Sequence, residues 1–156
     1  MGSIEHVDRL DMAILRELQR NGRVTFTELA STVGLSKTPC QVRVKRLEEA
    51  GYIQSYTAII DQKKLGSRHV AFVQVTMSDT KNKALRAFNE AIREIPEVEQ
   101  CHMIAGSFDY LVKVRTSDID NYREVLAEKI STLPNVKQTS TFVVMQDVKD
   151  IASRVI

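Results

Sequence analysis

Only two cysteines occur in the chain, Cys40 and Cys101, and they lie far apart. That excludes a disulfide scaffold and a cysteine zinc site, so the pair reads as reduced, mostly buried thiols of a cytoplasmic protein. The three histidines, His6, His69 and His102, have no metal-ligand spacing. No metal or cofactor is therefore expected. No apolar run approaches the ~18 residues of a membrane span. The opening Met-Gly-Ser-Ile-Glu-His lacks the basic and apolar regions of a secretory signal. Nucleophile-elbow, P-loop and dinucleotide fingerprints are missing as well. Ser107 has no base near it in sequence and suits turn chemistry beside Gly106. The chain reads as a non-enzyme. Nor is one charge sign in large excess: 22 basic against 20 acidic side chains leave +2. A nucleic-acid site must then show in where the charge sits, not in its sum.

What is present is an ordinary globular composition, 43% hydrophobic and 27% charged over 156 residues. That is enough for one domain or two small ones. Residues 8–21 predict a helix, with Leu10, Ala13, Ile14 and Leu18 at helical spacing and Asp8 and Asp11 at its dipole-favoured start. Asn21-Gly22 predicts its end in the left-handed region. Thr25 and Glu28 fit a capping box for a second, short helix that Gly34 stops. Ser36 is placed to cap a third helix, with Pro39 in its first turn and Gly51 after its end. A short helix, a turn at Gly34 and a longer helix are in helix-turn-helix order. Residues 52–60 favour an extended wing or linker, and the polar stretch 61–68 marks a domain boundary.

The second half changes rhythm. Residues 70–77 alternate as a strand, 81–95 form a helix, and 98–105 and 108–116 form two strands joined tightly at Gly106-Ser107. A helix over 118–133 carries Ile119, Tyr122, Leu126, Ile130 and Leu133 inward, and a last strand spans 136–148. The order β-α-β-β-α-β is the ferredoxin-like pattern, so the fold class is α+β. Both helices must cover one sheet face. The other face is too apolar for water, and another subunit is its simplest cover.

On a wheel of the third helix, Cys40, Val44 and Leu47 make the core stripe. Thr38, Gln41, Val42, Lys45 and Glu49 lie opposite, flanked by Arg43 and Arg46. From Ser36 to Arg46 there are four basic residues, Lys37, Arg43, Lys45 and Arg46, and no acidic one. This suits a helix that enters the major groove by its N-terminus. Thr38 and Gln41 can bond base edges, and Val42 can meet a thymine methyl. Lys45 and Arg46 suit phosphate. Asp109 stands in an apolar strand and needs a partner. Lys113, Arg115 or a backbone N–H can serve. So can the ammonium of an amino-acid ligand whose carboxylate sits on the Gly106-Ser107 N–H groups.

Several motifs together resemble the leucine-responsive regulatory protein/AsnC family. They are Asp8-Arg9-Leu10-Asp11, Asn21-Gly22-Arg23, Val33-Gly34-Leu35-Ser36-Lys37-Thr38-Pro39-Cys40 and Arg43-Val44-Lys45-Arg46-Leu47-Glu48 in the first half. In the second they are Glu99-Gln100-Cys101-His102, Gly106-Ser107-Phe108-Asp109-Tyr110-Leu111 and Leu133-Pro134-Asn135-Val136. The resemblance implies a winged helix-turn-helix DNA-binding domain over residues 4–60, a linker over 61–67, and a ferredoxin-like dimerisation and effector-binding domain over 68–156. It implies homodimers that assemble into octamers or higher forms on double-stranded DNA. It also implies an amino-acid effector near Gly106, Phe108, Asp109 and Tyr110, with Met103, Ala105, Thr139 and Thr141 as further lining. Many relatives carry an acidic residue where this chain has Ser107, which alters the charge balance there. The expected function is a transcription regulator of amino-acid metabolism genes. An architectural protein that wraps DNA with little sequence preference is the alternative.

Overall fold

The computed structural model describes residues 7–148, which open with helices α1 (Arg9–Arg20), α2 (Phe26–Val33) and α3 (Lys37–Glu49). Asp8 and Asp11 cap α1 reciprocally: each carboxylate accepts the other's backbone N–H, at 2.9 and 3.0 Å. The end of α1 differs from the expectation. Asn21 is extended, with φ −143°, and its side chain accepts the Arg23 N–H at 3.0 Å. The turn is thus closed by a side chain, not by a left-handed backbone. The Thr25–Glu28 capping box of α2 forms as predicted. Gly34, at φ +74°, then lets the Leu35 N–H reach the Ala30 carbonyl at 2.8 Å. Ser36 occupies the N-cap of α3, but its side chain makes no capping bond. Gly51, at φ +77°, closes α3 in the same way, with the Tyr52 N–H on the Leu47 carbonyl.

The first core contains Ile14, Leu29, Ala30, Cys40, Val44 and Leu47, so the predicted stripe of α3 faces inward. One polar residue joins it. Asp11 is fully buried, and it meets Arg43 at 2.8 Å and Arg46 at 2.5 Å across to α3. Arg43 also reaches Asp8 at 2.6 Å. Residues 52–60 form no strand. They have β-favouring side chains but no neighbouring strand to bond, and Ile59 and Ile60 stay exposed. Tyr56 is the anchor: its hydroxyl donates to Glu48 at 2.9 Å. Burial and that carboxylate push its phenol up to about 12.

The chain divides between Ile60 and Asp61 into two units with separate cores. The second contains β1 (His69–Met77), α4 (Asn82–Arg93), β2 (Val98–Met103), β3 (Tyr110–Thr116), α5 (Ile119–Glu124) and β4 (Val136–Val143). The strands form one antiparallel sheet in the order β2-β3-β1-β4, the ferredoxin-like arrangement. Ala71, Val73, Val75, Val112 and Val114 face the helices and pack on Phe88, Ile92, Tyr122, Val125 and Ile130.

Two elements differ from expectation. The β2–β3 connection is not a two-residue turn: Ile104 donates to the Asp109 carbonyl, so residues 105–108 form the loop. The Asp109 N–H turns instead to Val75 of β1, at 2.9 Å. The helix after β3 changes pitch, because α5 runs into a π-helical turn, Val125–Ile130. In an α-helix, residues five apart sit about 140° apart. The wider turn, with Ser131 N–H on the Leu126 carbonyl, lets Val125 and Ile130 both face the core. Ile119, expected inward, is exposed.

Asp11→Asn is expected to destabilise the chain by about 2–3 kcal/mol in chemical denaturation. It strips Arg46 of its charge partner and leaves Arg43 with Asp8 alone, and the partial exposure of both guanidiniums keeps the loss below that of a fully buried pair. Asp8 responds to acid: the Asp11 N–H and then Arg43 hold its carboxyl down to about 2. Because the folded value is depressed, its stabilising effect is full above the unfolded value of about 3.9 and is lost as pH falls towards 2. Asp8→Asn should flatten the acid limb of a stability-versus-pH curve over that window.

Candidate DNA-reading helix and effector loop

Ser36, Lys37, Thr38, Gln41, Val42 and Lys45 are all exposed. Thr38, Gln41, Val42 and Lys45 fall within about 100° of one another on α3 and make a single face. Val42 is 64% exposed, an uncommon position for a β-branched apolar residue and one suited to a methyl contact in a groove. Lys45 has only an exposed 3.7 Å pair with Glu49 one turn later, which leaves it available to phosphate.

Arg43 and Arg46 are placed differently. The sequence expectation counted both in the DNA-binding set and Arg46 on phosphate, but both guanidiniums turn to α1 and its acidic cap. Their charge is already matched, so they position the reading helix. Asp8 and Asp11 are the residues that sequence reasoning missed in this role. Asp11 lies three and seven residues before Ile14 and Leu18, on the apolar stripe of α1. A carboxylate at an inward position opposite an arginine-rich helix was the available signal.

In the second unit the sheet gathers several of the candidate effector residues. Met103, Tyr110, Val75 and Thr139 make one cross-strand row. Thr141 lies in the next inward row, opposite Val73, with its hydroxyl bonded to that of Tyr122 at 2.6 Å. Loop residues Ala105, Gly106 and Ser107 are exposed and Phe108 is half-buried. Tyr110 is core, stacked on Phe88 with ring centroids 4.3 Å apart.

Asp109 takes the backbone option left open above: its Oδ2 accepts the Met77 N–H at 2.7 Å, beside the β1 bulge at Thr76/Met77. Lys113 and Arg115 pair with Glu99. Among the described residues no cation pairs with Asp109, and Oδ1 receives no hydrogen bond. Gly106 has no positive φ, and a Cβ there would meet only the Ile104 methyl at 3.6 Å. The protomer's own packing therefore does not demand glycine at this point. Among the described residues no three metal-binding side chains cluster, and no helix is long and apolar enough to cross a membrane.

Comparison with known proteins adds two matches. Residues 70–153 match the family description "Lrp/AsnC ligand binding domain", and residues 7–54 match "Winged helix-turn-helix DNA-binding". The chain is 58% identical over 146 residues to the proline dehydrogenase transcriptional activator of Rhizobium radiobacter, covering 94% of each. It is 43% identical over 143 residues to the leucine-responsive regulatory protein of Escherichia coli K12, covering 92% of this chain and 87% of that protein. A Neisseria meningitidis transcriptional regulator, solved as an L-methionine complex, superposes with TM-score 0.90 at 30% identity and covers 96% of both chains.

Lys45→Ala should weaken binding to all DNA sequences and lower the log K against log salt slope by about 1. Gln41→Ala and Val42→Ala should each cost about 1–3 kcal/mol on the preferred site and little on random DNA. Arg46→Ala should lower the melting temperature and leave the salt slope unchanged. A slope change equal to that of Lys45→Ala, with stability intact, would return Arg46 to the phosphate set. Fluorescence anisotropy across a salt series separates these outcomes.

Proposed function

The chain belongs to the Lrp/AsnC family of transcription regulators, and from that premise we propose that it activates a proline dehydrogenase gene in response to an amino acid, with proline the first candidate. The gene is argued from likeness. The relative at 58% identity and another at 52%, from Rhodobacter capsulatus, are both named as activators of that enzyme's transcription. An enzyme's own substrate is the logical inducer of its gene. The observation that carries the effector reading is the Oδ1 of Asp109, which receives no hydrogen bond while Oδ2 holds the Met77 N–H. An amino acid would place its ammonium on that oxygen and its carboxylate on the Gly106 and Ser107 N–H groups. Met103, Ala105 and Phe108 would line the side chain's path, and Tyr110, Thr139 and Thr141 would support it from the sheet. Ser107 leaves the loop without a second acidic charge, which suits a ligand of no net charge.

On DNA, Thr38, Gln41 and Val42 read bases, while Ser36, Lys37 and Lys45 hold phosphate. The proposed organisation is a headpiece over 4–60, a linker over 61–67 and an effector domain over 68–156, in a cytoplasmic protein. A homodimer forms on the sheet face away from the helices, where Phe72 and Phe142 oppose each other across β1 and β4. Phe142 is 53% exposed in the single chain. Further assembly into octamers follows the family pattern.

A reporter driven by the proline dehydrogenase promoter should lose proline induction on deletion of this gene and regain it on complementation. With purified protein, proline at a hundred times Kd should add about 2.7 kcal/mol of stability, or about 5–10 °C for a chain of this size. Asp109→Ala should abolish that shift. An unchanged shift in the variant would overturn the assignment of Asp109. A shift with another standard amino acid and none with proline would overturn proline as effector.

A further inference from the structure

A cavity lies on the helix side of the sheet, between α4 and the edge strand β2; Gly106 and Asp109 do not line it, while Met103 and Tyr110 border both it and the proposed loop site. It has a volume of about 470 Å3, within the range of small-molecule sites. Its floor is Tyr110, 2% exposed, whose buried hydroxyl has no hydrogen-bond partner. Asn89 stands beside that hydroxyl without closing a hydrogen bond. Folded interiors rarely leave such a group unmatched, so its partner is something that enters the cleft.

The other lining groups narrow the chemistry. Arg93 is on the rim and makes no ion pair among the described residues. Glu99, the carboxylate at the rim, is already held by Lys113 at 3.2 Å and by Arg115. Ile92, Val98 and Met103 supply apolar wall. The cleft thus offers one uncommitted cation, a hydroxyl, two amides (Asn89 and Gln100), the Cys101 thiol and a short apolar surface, with no uncommitted anion.

We propose that this cleft binds a small monocarboxylate with a short aliphatic tail and no α-ammonium group, the class to which branched 2-oxo acids belong. The carboxylate pairs with Arg93. The Tyr110 hydroxyl and the Asn89 amide donate to the keto oxygen and to the second carboxylate oxygen. The tail lies on Ile92, Val98 and Met103. A zwitterionic amino acid is disfavoured, because its ammonium would face Arg93 with no carboxylate free to receive it. The two sites of one protomer are therefore complementary: an acidic loop for an ammonium, and a basic cleft for its deaminated counterpart. The cleft argument does not depend on the role of Asp109.

The test is calorimetric titration of the full-length protein with 4-methyl-2-oxopentanoate, with leucine as the matched amino acid. Saturable binding of the oxo acid is expected, with leucine at least tenfold weaker at this site. Arg93→Gln and Tyr110→Phe should each weaken the oxo acid at least tenfold, while Asp109→Ala should change it less than twofold. Arg93 is exposed, so its variant keeps the fold, and a melting curve verifies both. No saturable binding up to ~10 mM, or binding that Asp109→Ala abolishes and Arg93→Gln spares, would overturn the proposal. Loss of the proline shift alone would leave the cleft standing and remove only the loop site.

Discussion

Asp11 sits at zero exposure between α1 and α3, accepting a backbone N–H and two guanidiniums. A buried carboxylate is tolerable only when its charge is met and its lone pairs are filled. Here one oxygen serves Arg43, and the other serves Arg46 and the Asp8 N–H. The arginines remain partly exposed, so most of the desolvation falls on the carboxylate alone. This interaction ties the first turn of α1 to the middle of α3, beside the core that Ile14 and Val44 share. Geometry follows from it. An apolar stripe fixes which face of α3 is inward but tolerates small rotations, whereas hydrogen bonds from two residues three apart remove that freedom.

The same interaction decides which charges are left for DNA. Four basic residues in the acid-free half of α3 look like four phosphate contacts until two are found committed. What remains exposed is a small face with Lys37 and Lys45 as cations and Thr38, Gln41 and Val42 between them. Two copies of such a helix held on one scaffold would gain an effective concentration that one copy lacks. The sheet with an exposed Phe142 is the part of this chain able to supply such a scaffold.

Much of this architecture was legible because it is built from local rules. Thr25–Glu28, Gly34 and Gly51 announce helix ends by chemistry that needs no tertiary partner. The alternation of β1 and the stripe Cys40, Val44, Leu47 survive unchanged into the structure. What was illegible depended on distant groups. Arg43 and Arg46 look outward on a wheel, yet α1 reaches them. Asn21 is bent by its own side chain's bond to Arg23 and not by the backbone preference that the Asn-Gly pair suggests. The π-helical turn exists to bring Val125 and Ile130 to one side, a packing demand that α-helical spacing cannot express. The β2–β3 loop widens because β1 draws the Asp109 N–H and carboxylate away from a tight turn.

Asp109 and Asp11 form an instructive pair. Each accepts a backbone N–H, but one is matched by two cations and the other, among the described residues, by none. Replacing Asp11 exposes unmatched charge and loses structure. A regulatory ligand acts only through unequal affinity for two states. Asp109, held by Met77 and met by no cation among the described residues, is the acid on which the proposed ligand would have that difference. The acid in the first unit is therefore a structural charge, and the acid in the second holds a backbone N–H and meets no cation among the described residues.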